Sequence, residues 1–187
     1  VSDRVPLTGE PLALDLVNTR PSTGDLLATP ADLRAWLALQ ADRLPGETHE
    51  TAELTATDLA AVRAVREHTA AAIACARRGE RPPASALDGL NRAQHAAPAV
   101  KELSWNGTTT VAVRRRTGPA GVRLAAWLAE AAADLLADPA IGRVRRCEAE
   151  DCVMLFLPAH PRRRWCAADR CGNRARVARY YRRHKTG

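Results

Sequence analysis

Aromatic residues make up only 4% of this sequence, and lysine occurs only as Lys101 and Lys185. With rings scarce and Ala, Leu and Arg abundant, helices packed through aliphatic side chains are the favoured architecture. The lack of lysine makes nearly all of the 28 cations arginine, a skew that a GC-rich genome would produce and that says nothing about function. No apolar run approaches the roughly 20 residues needed to span a bilayer. The opening VSDRVPLTGEPLALD has neither the basic start nor the apolar stretch of a signal peptide, so the expected location is the cytoplasm, with no membrane partner. Internal repeats are absent, as are a phosphate-binding glycine loop and a paired Cys–His nucleophile, and no enzyme is expected.

At 187 residues and 46% apolar content the chain has room for one domain or two small ones. Charge divides it. Residues 141–187 hold 13 basic and 4 acidic residues, a net of +9, which leaves a net of −2 for residues 1–140. Such asymmetry predicts an ordinary domain joined to one that meets a polyanion, with nucleic acid ahead of an anionic membrane surface.

Residues 11–20, PLALDLVNTR, suit a strand or a short helix, and periodicity cannot choose over so few positions. A helix is predicted from Pro30 to Ala41, then a polar loop through Pro45 and Gly46. A longer helix should run from about Thr57 to Arg78, capped by Thr57 or Asp58, with Leu59, Val62, Thr69 and Ile73 on one face and Cys75 as a small buried hydrophobe. A shorter one follows at Ser85–Ala96. Around Asn106-Gly107, β-branched residues predict a hairpin with strands at 100–105 and 109–115. The last long helix, Ala120–Ala137, carries a stripe of Leu124, Trp127, Leu128, Ala131 and Leu135. The predicted class is therefore α+β: a mainly helical domain with one hairpin over residues 1–140, then a small zinc finger over 141–187.

That finger is read from Cys147-x4-Cys152, thirteen residues, and Cys166-x4-Cys171. Two close pairs of thiolates supply the four ligands of a tetrahedral zinc ion, and two disulfides are the competing reading, disfavoured without an export signal. Strand-like residues 153–157, a turn at 158–161 and a helix after Cys171 give the order knuckle, hairpin, helix, which is the plan of a treble clef. Four thiolates leave no open position, so the one zinc is expected to be structural. His160 lies between the pairs but is not needed as a ligand.

The run WCAADRCGNRARVARYYRR, residues 165–183, resembles the CGNR zinc finger, and LALDLVNTR near the start is similar to the short motif of the ABATE domain that precedes it in that family. The resemblance implies a stress-linked transcription regulator with a DNA-binding finger and a first domain that senses a small-molecule effector.

At 100° per residue Arg176, Arg179 and Arg183 share one face of the last helix, with Tyr180 adjacent. Arg182 belongs to the same basic helix, and Arg162, Arg163 and Arg164 extend the expected DNA surface. Val177, Ala178, Tyr181 and His184 should pack against the hairpin beside the zinc, with Arg174 on their side. An RNA-binding or protein-interaction module is the alternative. In the first domain Asp15, Asn18 and Arg20 are the candidate ligand-binding groups, with Leu14, Leu16 and Trp36 as walls; the neighbouring Thr19 belongs to the same polar cluster. A homodimer would use the apolar face of residues 120–137.

Overall fold

The computed structural model describes residues 8–44 and 54–184. The predicted loop at Pro45 and Gly46 lies outside the described residues. Among the described residues the first domain is built on five α-helices: α1 (Leu12–Val17), α2 (Pro30–Leu39), α3 (Ala56–Ala76), α4 (Ala84–Ala96) and α5 (Ala120–Ala137), with a hairpin of β1 (Val100–Trp105) and β2 (Thr110–Arg115) between the last two. A short β3 (Arg145–Arg146), a short β4 (Leu155–Phe156) and α6 (Asn173–His184) form the C-terminal module.

Helix α1 settles the ambiguity at residues 11–20. Ala13, Leu14, Asp15 and Leu16 are all buried, because this helix threads between α3, α5 and β4 and has no solvent face to impose a helical period. Helices α2 and α3 start on capping boxes: Thr29 with Asp32, and Thr55 with Asp58, each hydroxyl accepting from the third residue's N–H while that carboxylate accepts in return. The cap of α3 is thus Thr55, two residues before the expected start, and Asp58 is its reciprocal partner.

Helix α5 keeps its expected bounds but has a broader buried face than the stripe alone. Gly121, Leu124, Ala125, Ala126, Leu128, Ala129, Ala132 and Leu135 are buried, against α3 and α4. Alanines on the flanks let α3 and α4 approach from two sides, so the face offered by sequence as a dimer surface is the core itself. Leu14, Leu16 and Trp36, expected as pocket walls, also lie in this core, whereas Cys75 is only half-buried. Arg66 is buried within it, and its guanidinium meets both oxygens of Asp25 at 2.6 and 2.7 Å and the Thr19 hydroxyl at 3.1 Å. That pairing fastens the 20–29 loop onto α3 and leaves the buried charge compensated.

The hairpin's register pairs Trp105 with Thr110, so its turn spans Asn106–Thr109, one residue more than the expected strand bounds leave. Asn106 Oδ1 accepts from the N–H groups of Thr108 and Thr109 at 3.0 and 2.9 Å, and Gly107 takes a positive φ of 98°.

The two modules are joined by packed chain. After α5 the Asp138 side chain accepts from the Ala140 N–H and caps a 3-10 turn over Pro139–Arg143. Val144 then enters the first core, and Leu155 and Leu157 pack against it from the other side of the joint. A second small core gathers Cys147, Ala149, Cys152, Met154, Phe156 and Cys171, with Trp165 and Cys166 beside it.

Candidate metal centre and nucleic-acid interface

The first cysteine pair brackets the turn between β3 and β4, which are antiparallel with Arg145 opposite Phe156 and Arg146 opposite Leu155. The ladder is much shorter than the expected 153–157 strand. At the knuckle tip Asp151 takes a left-handed φ of 61°, a conformation aspartate tolerates better than most residues, and the first domain's Ser22 hydroxyl donates to its carbonyl at 2.8 Å. The second pair ends in a π-turn at Ala168–Gly172 that carries Cys171 and runs straight into α6.

The four sulfurs converge. All lie within 4.8 Å of one another, and the Sγ separations are 3.8 Å for Cys152–Cys166, 3.5 Å for Cys166–Cys171 and 3.8 Å for Cys171–Cys152. A tetrahedral ion with Zn–S bonds of about 2.3 Å has edges of about 3.8 Å, whereas a disulfide needs about 2.05 Å. The donor set therefore fits one structural zinc ion, and all four thiols are free of disulfides. When bound, the zinc supplies the cross-link that joins the two knuckles.

The surroundings explain why a cation is needed. Burial pushes the Cys152 thiol up to about 11 and raises that of Cys166 as well, so these groups ionise readily only beside a positive charge. Against burial, which opposes it, the Ala149 and Cys166 amides hold Cys147 below the ordinary thiol value; the Cys166 N–H reaches its Sγ at 3.3 Å. Arg174 Nη2 lies 3.4 Å from Cys171 Sγ, which places this arginine with the ligands. His160 is exposed and its Nδ1 accepts from the Arg162 N–H, away from the metal.

The basic residues separate into two groups. Arg163 is at the hub of the finger: it covers the Phe156 ring at 4.5 Å, donates to the carbonyls of Trp165 and Cys166 at 3.1 and 2.6 Å, and pairs with Glu10 at 2.6 Å. Arg143 donates to the Pro158 carbonyl, Arg145 to that of Pro161 and Arg146 to that of Cys152, while Arg164 pairs with Glu148. Arg143, Arg145, Arg146 and Arg163 thus hold backbone carbonyls of the finger's loops. Arg162 and Arg164 are exposed on either side of the half-buried Arg163.

Helix α6 projects from this hub. Of the face predicted to pack against the hairpin, Val177 and Tyr181 are 52% and 65% exposed and His184 is exposed too, while Ala178 alone is half-buried. Tyr180 instead stacks on His184 at 4.1 Å and meets Tyr181 edge-on at 5.8 Å. Arg176 is exposed, with its guanidinium 2.6 Å from Asn173 Oδ1. Arg179, Arg182 and Arg183 occupy the same helix.

Of the three candidate ligand-binding groups, Asn18 and Arg20 line one cleft and Asp15 does not reach it. Asp15 is buried and ion-paired to Arg43, which also contacts Gln40, and it accepts from the Glu10 N–H at 3.3 Å. Asn18 grips the finger, donating to the Leu155 carbonyl and accepting from the Leu155 N–H, both at 2.8 Å. Arg20 pairs with Glu67 on the surface at 2.9 Å. Glu10, which neither composition nor motif singles out, ties the joint together: one oxygen takes Arg163, the other the Leu157 N–H at 2.8 Å. A cleft of about 250 Å³, lined by Asn18, Arg20, Arg66, Glu67, Val153 and Leu155 among others, runs along this seam.

A helical domain clasped to a closed four-thiol finger is a two-module architecture, and both modules match known families. Residues 10–139 match ABATE, described as "Putative stress-induced transcription regulator", and residues 143–184 match the CGNR zinc finger. The chain belongs to the ABATE family and carries a CGNR finger at its C-terminal end. A comparison with curated proteins finds no match. Among the described residues no helix is long and apolar enough to cross a membrane.

Proposed function

We propose that this chain is a non-enzymatic transcription regulator that binds duplex DNA through α6 and the adjoining finger. The single observation that carries the reading is α6 itself: a helix with five arginines in twelve residues, NRARVARYYRRH, rooted on a metal knuckle and exposed on both its Val177 and Tyr180 sides. Arginine forks match phosphate oxygens and the guanine edge, and a free helix of this width suits a major groove. Arg162 and Arg176 add exposed cations at its root.

The exposed Tyr180 and Tyr181 favour a second reading, single-stranded RNA stacked on these rings. Binding of duplex DNA and of single-stranded RNA, measured against salt for wild type and for the triple variant Arg176→Ala, Arg179→Ala, Arg183→Ala, separates the two. For the DNA reading, the duplex binds more tightly, and the triple variant lowers the salt slope by about one for each phosphate it no longer neutralises. Equal slope and affinity in the variant would remove α6 from the account. The sensing role of the first domain is part of the same proposal: a small effector seated in the seam cleft acts only if it prefers one state of the Asn18–Leu155 clasp over the other.

A further inference from the structure

Among the described residues, the hairpin β1–β2 contributes no side chain to either core. Every residue of β1 is exposed, as is every residue of β2 except Val111, which is half-buried. Leu103 is 75% and Trp105 66% exposed. Contacts to the body gather at the base, where Arg114 and Arg116 reach Glu130 of α5 and Arg116 also reaches the Ala97 carbonyl. Among the described residues the only sheet neighbour of each strand is the other, so each presents an open edge. A lone two-stranded ribbon is marginal in water, and an open edge with large apolar side chains invites another strand. Paired residues share a face, which puts Lys101, Leu103 and Trp105 together with Arg114, Ala112 and Thr110.

We propose that the open edge of β1 pairs with β1 of a second copy of this chain, giving a four-stranded antiparallel sheet across a two-fold axis at Leu103. The occupant follows from the strand's own sequence. Antiparallel pairing about Leu103 sets Leu103 against the partner's Leu103, Lys101 against the partner's Trp105, and Glu102 against the partner's Ser104. No like charges meet, the two leucines cover each other, and each lysine lies over a tryptophan ring, an attractive cation–π arrangement. The β2 edge is less suited to the same role: self-pairing about Ala112 and Val113 would set Val111 against the partner's Arg114 and Thr110 against the partner's Arg115, arginines already engaged by Glu130 and Glu102. A five-residue ladder (101–105) with two large apolar side chains per copy falls below the roughly 1,200 Å² of stable interfaces, so association in the micromolar range is expected. The pairing does not depend on the DNA reading, though it would bring two fingers into one particle.

Sedimentation equilibrium of the full zinc-loaded chain from about 1 to 200 µM tests this, alongside Leu103→Glu and oxidative cross-linking of Leu103→Cys. The wild type should show a monomer–dimer equilibrium, and Leu103→Glu should weaken it at least tenfold, because two carboxylates then meet on the axis. Leu103→Cys should form a disulfide-linked dimer well above the wild-type background and above Thr108→Cys at the hairpin tip. A wild type that stays monomeric throughout overturns the proposal. So does a dimer that Leu103→Glu leaves intact, or a Leu103→Cys variant that cross-links no better than Thr108→Cys. Leu103 packs against neither core, so helicity by circular dichroism should be unchanged in both variants and confirms that each is folded.

Discussion

Asn18 and Leu155, 137 positions apart, exchange two hydrogen bonds of 2.8 Å, the side-chain amide of one completing the backbone of the other. The amide stands in for a neighbouring strand on the side of β4 that β3 does not cover. Replacing Asn18 by Ala leaves a partly buried N–H and C=O unpaired, at a cost of about 1–3 kcal/mol. Asn18→Asp keeps the acceptor but turns a carboxylate oxygen toward the Leu155 carbonyl, and should be no better. Hydrogen exchange at the Leu155 amide is the direct measurement: protection should fall in both variants.

Stability should depend on pH in two opposite ways. Burial pushes Asp15 from 3.8 up to about 6, against the lowering effect of Arg43 and the Glu10 amide. The folded chain then binds more protons than the unfolded one between these values, so stability falls as pH rises through about 4 to 6, by on the order of 3 kcal/mol. Asp25 runs the other way. Its hydrogen bonds to Arg66 hold it at about 2, so its contribution is present above its ordinary 3.8 and disappears as pH falls toward 2. Urea midpoints across pH 2 to 7 should show the 4-to-6 decline in wild type and its absence in Asp15→Asn, with the acid-side decline unchanged.

Zinc removal should unfold one module and spare the other. Among the described residues the finger's core holds only six buried residues, three of them metal ligands, whereas the first domain has its own larger apolar core. A strong chelator, or Cys171→Ser, should abolish finger structure while most helical ellipticity survives. Trp165 beside the cluster should report the change by fluorescence. Disappearance of all helicity in one transition with metal release would show that the first domain depends on the finger.

Gly121→Ala offers a test of sign. Helix propensity alone would make the change stabilising by about 1 kcal/mol. A Cβ here, however, would sit 1.8 Å from Asp58 Oδ1, and Asp58 is half of the capping box of α3. Moving that carboxylate away sacrifices a cap of about 0.5–2 kcal/mol and opens the packing of α3 on α5. The variant should therefore be destabilised in chemical denaturation, while Gly142→Ala, with nothing within 4 Å of an added Cβ, should be close to neutral.

The parts of this molecule legible in the sequence are those governed by local rules. Helix α5 is bounded by its apolar period and by Asp138-Pro139, and the metal ligands are fixed by their spacing. The Thr55-x-x-Asp58 box is equally readable, yet apolar periodicity alone starts the helix one residue late and misplaces its cap. What stays hidden is long-range. Nothing in LALDLVNTR says that Asn18 faces a strand more than a hundred residues later, and its buried polar groups read equally well as a pocket. Charge is the other ambiguity. An arginine that binds carbonyls, such as Arg163 or Arg146, counts toward net charge just as an exposed one does, so the charge of +9 locates the basic module without separating its struts from its free surface. The expected packing of Val177 and Tyr181 fails because the β3–β4 ladder is too short to underlie α6.

Helix α6 is in effect a pointer. Twelve residues make a rod about 18 Å long, and it is held at one end, where Cys171 and Arg174 meet the metal cluster. A rotation of about 10° at that pivot would sweep the far end by about 3 Å, close to the roughly 3.4 Å spacing of successive bases along a strand. On the proposed reading of α6 as the nucleic-acid-binding element, the metal cluster at the pivot would set its register on bases or phosphates, and small errors in how the knuckle seats on Glu10 and Asn18 would be magnified at the tip.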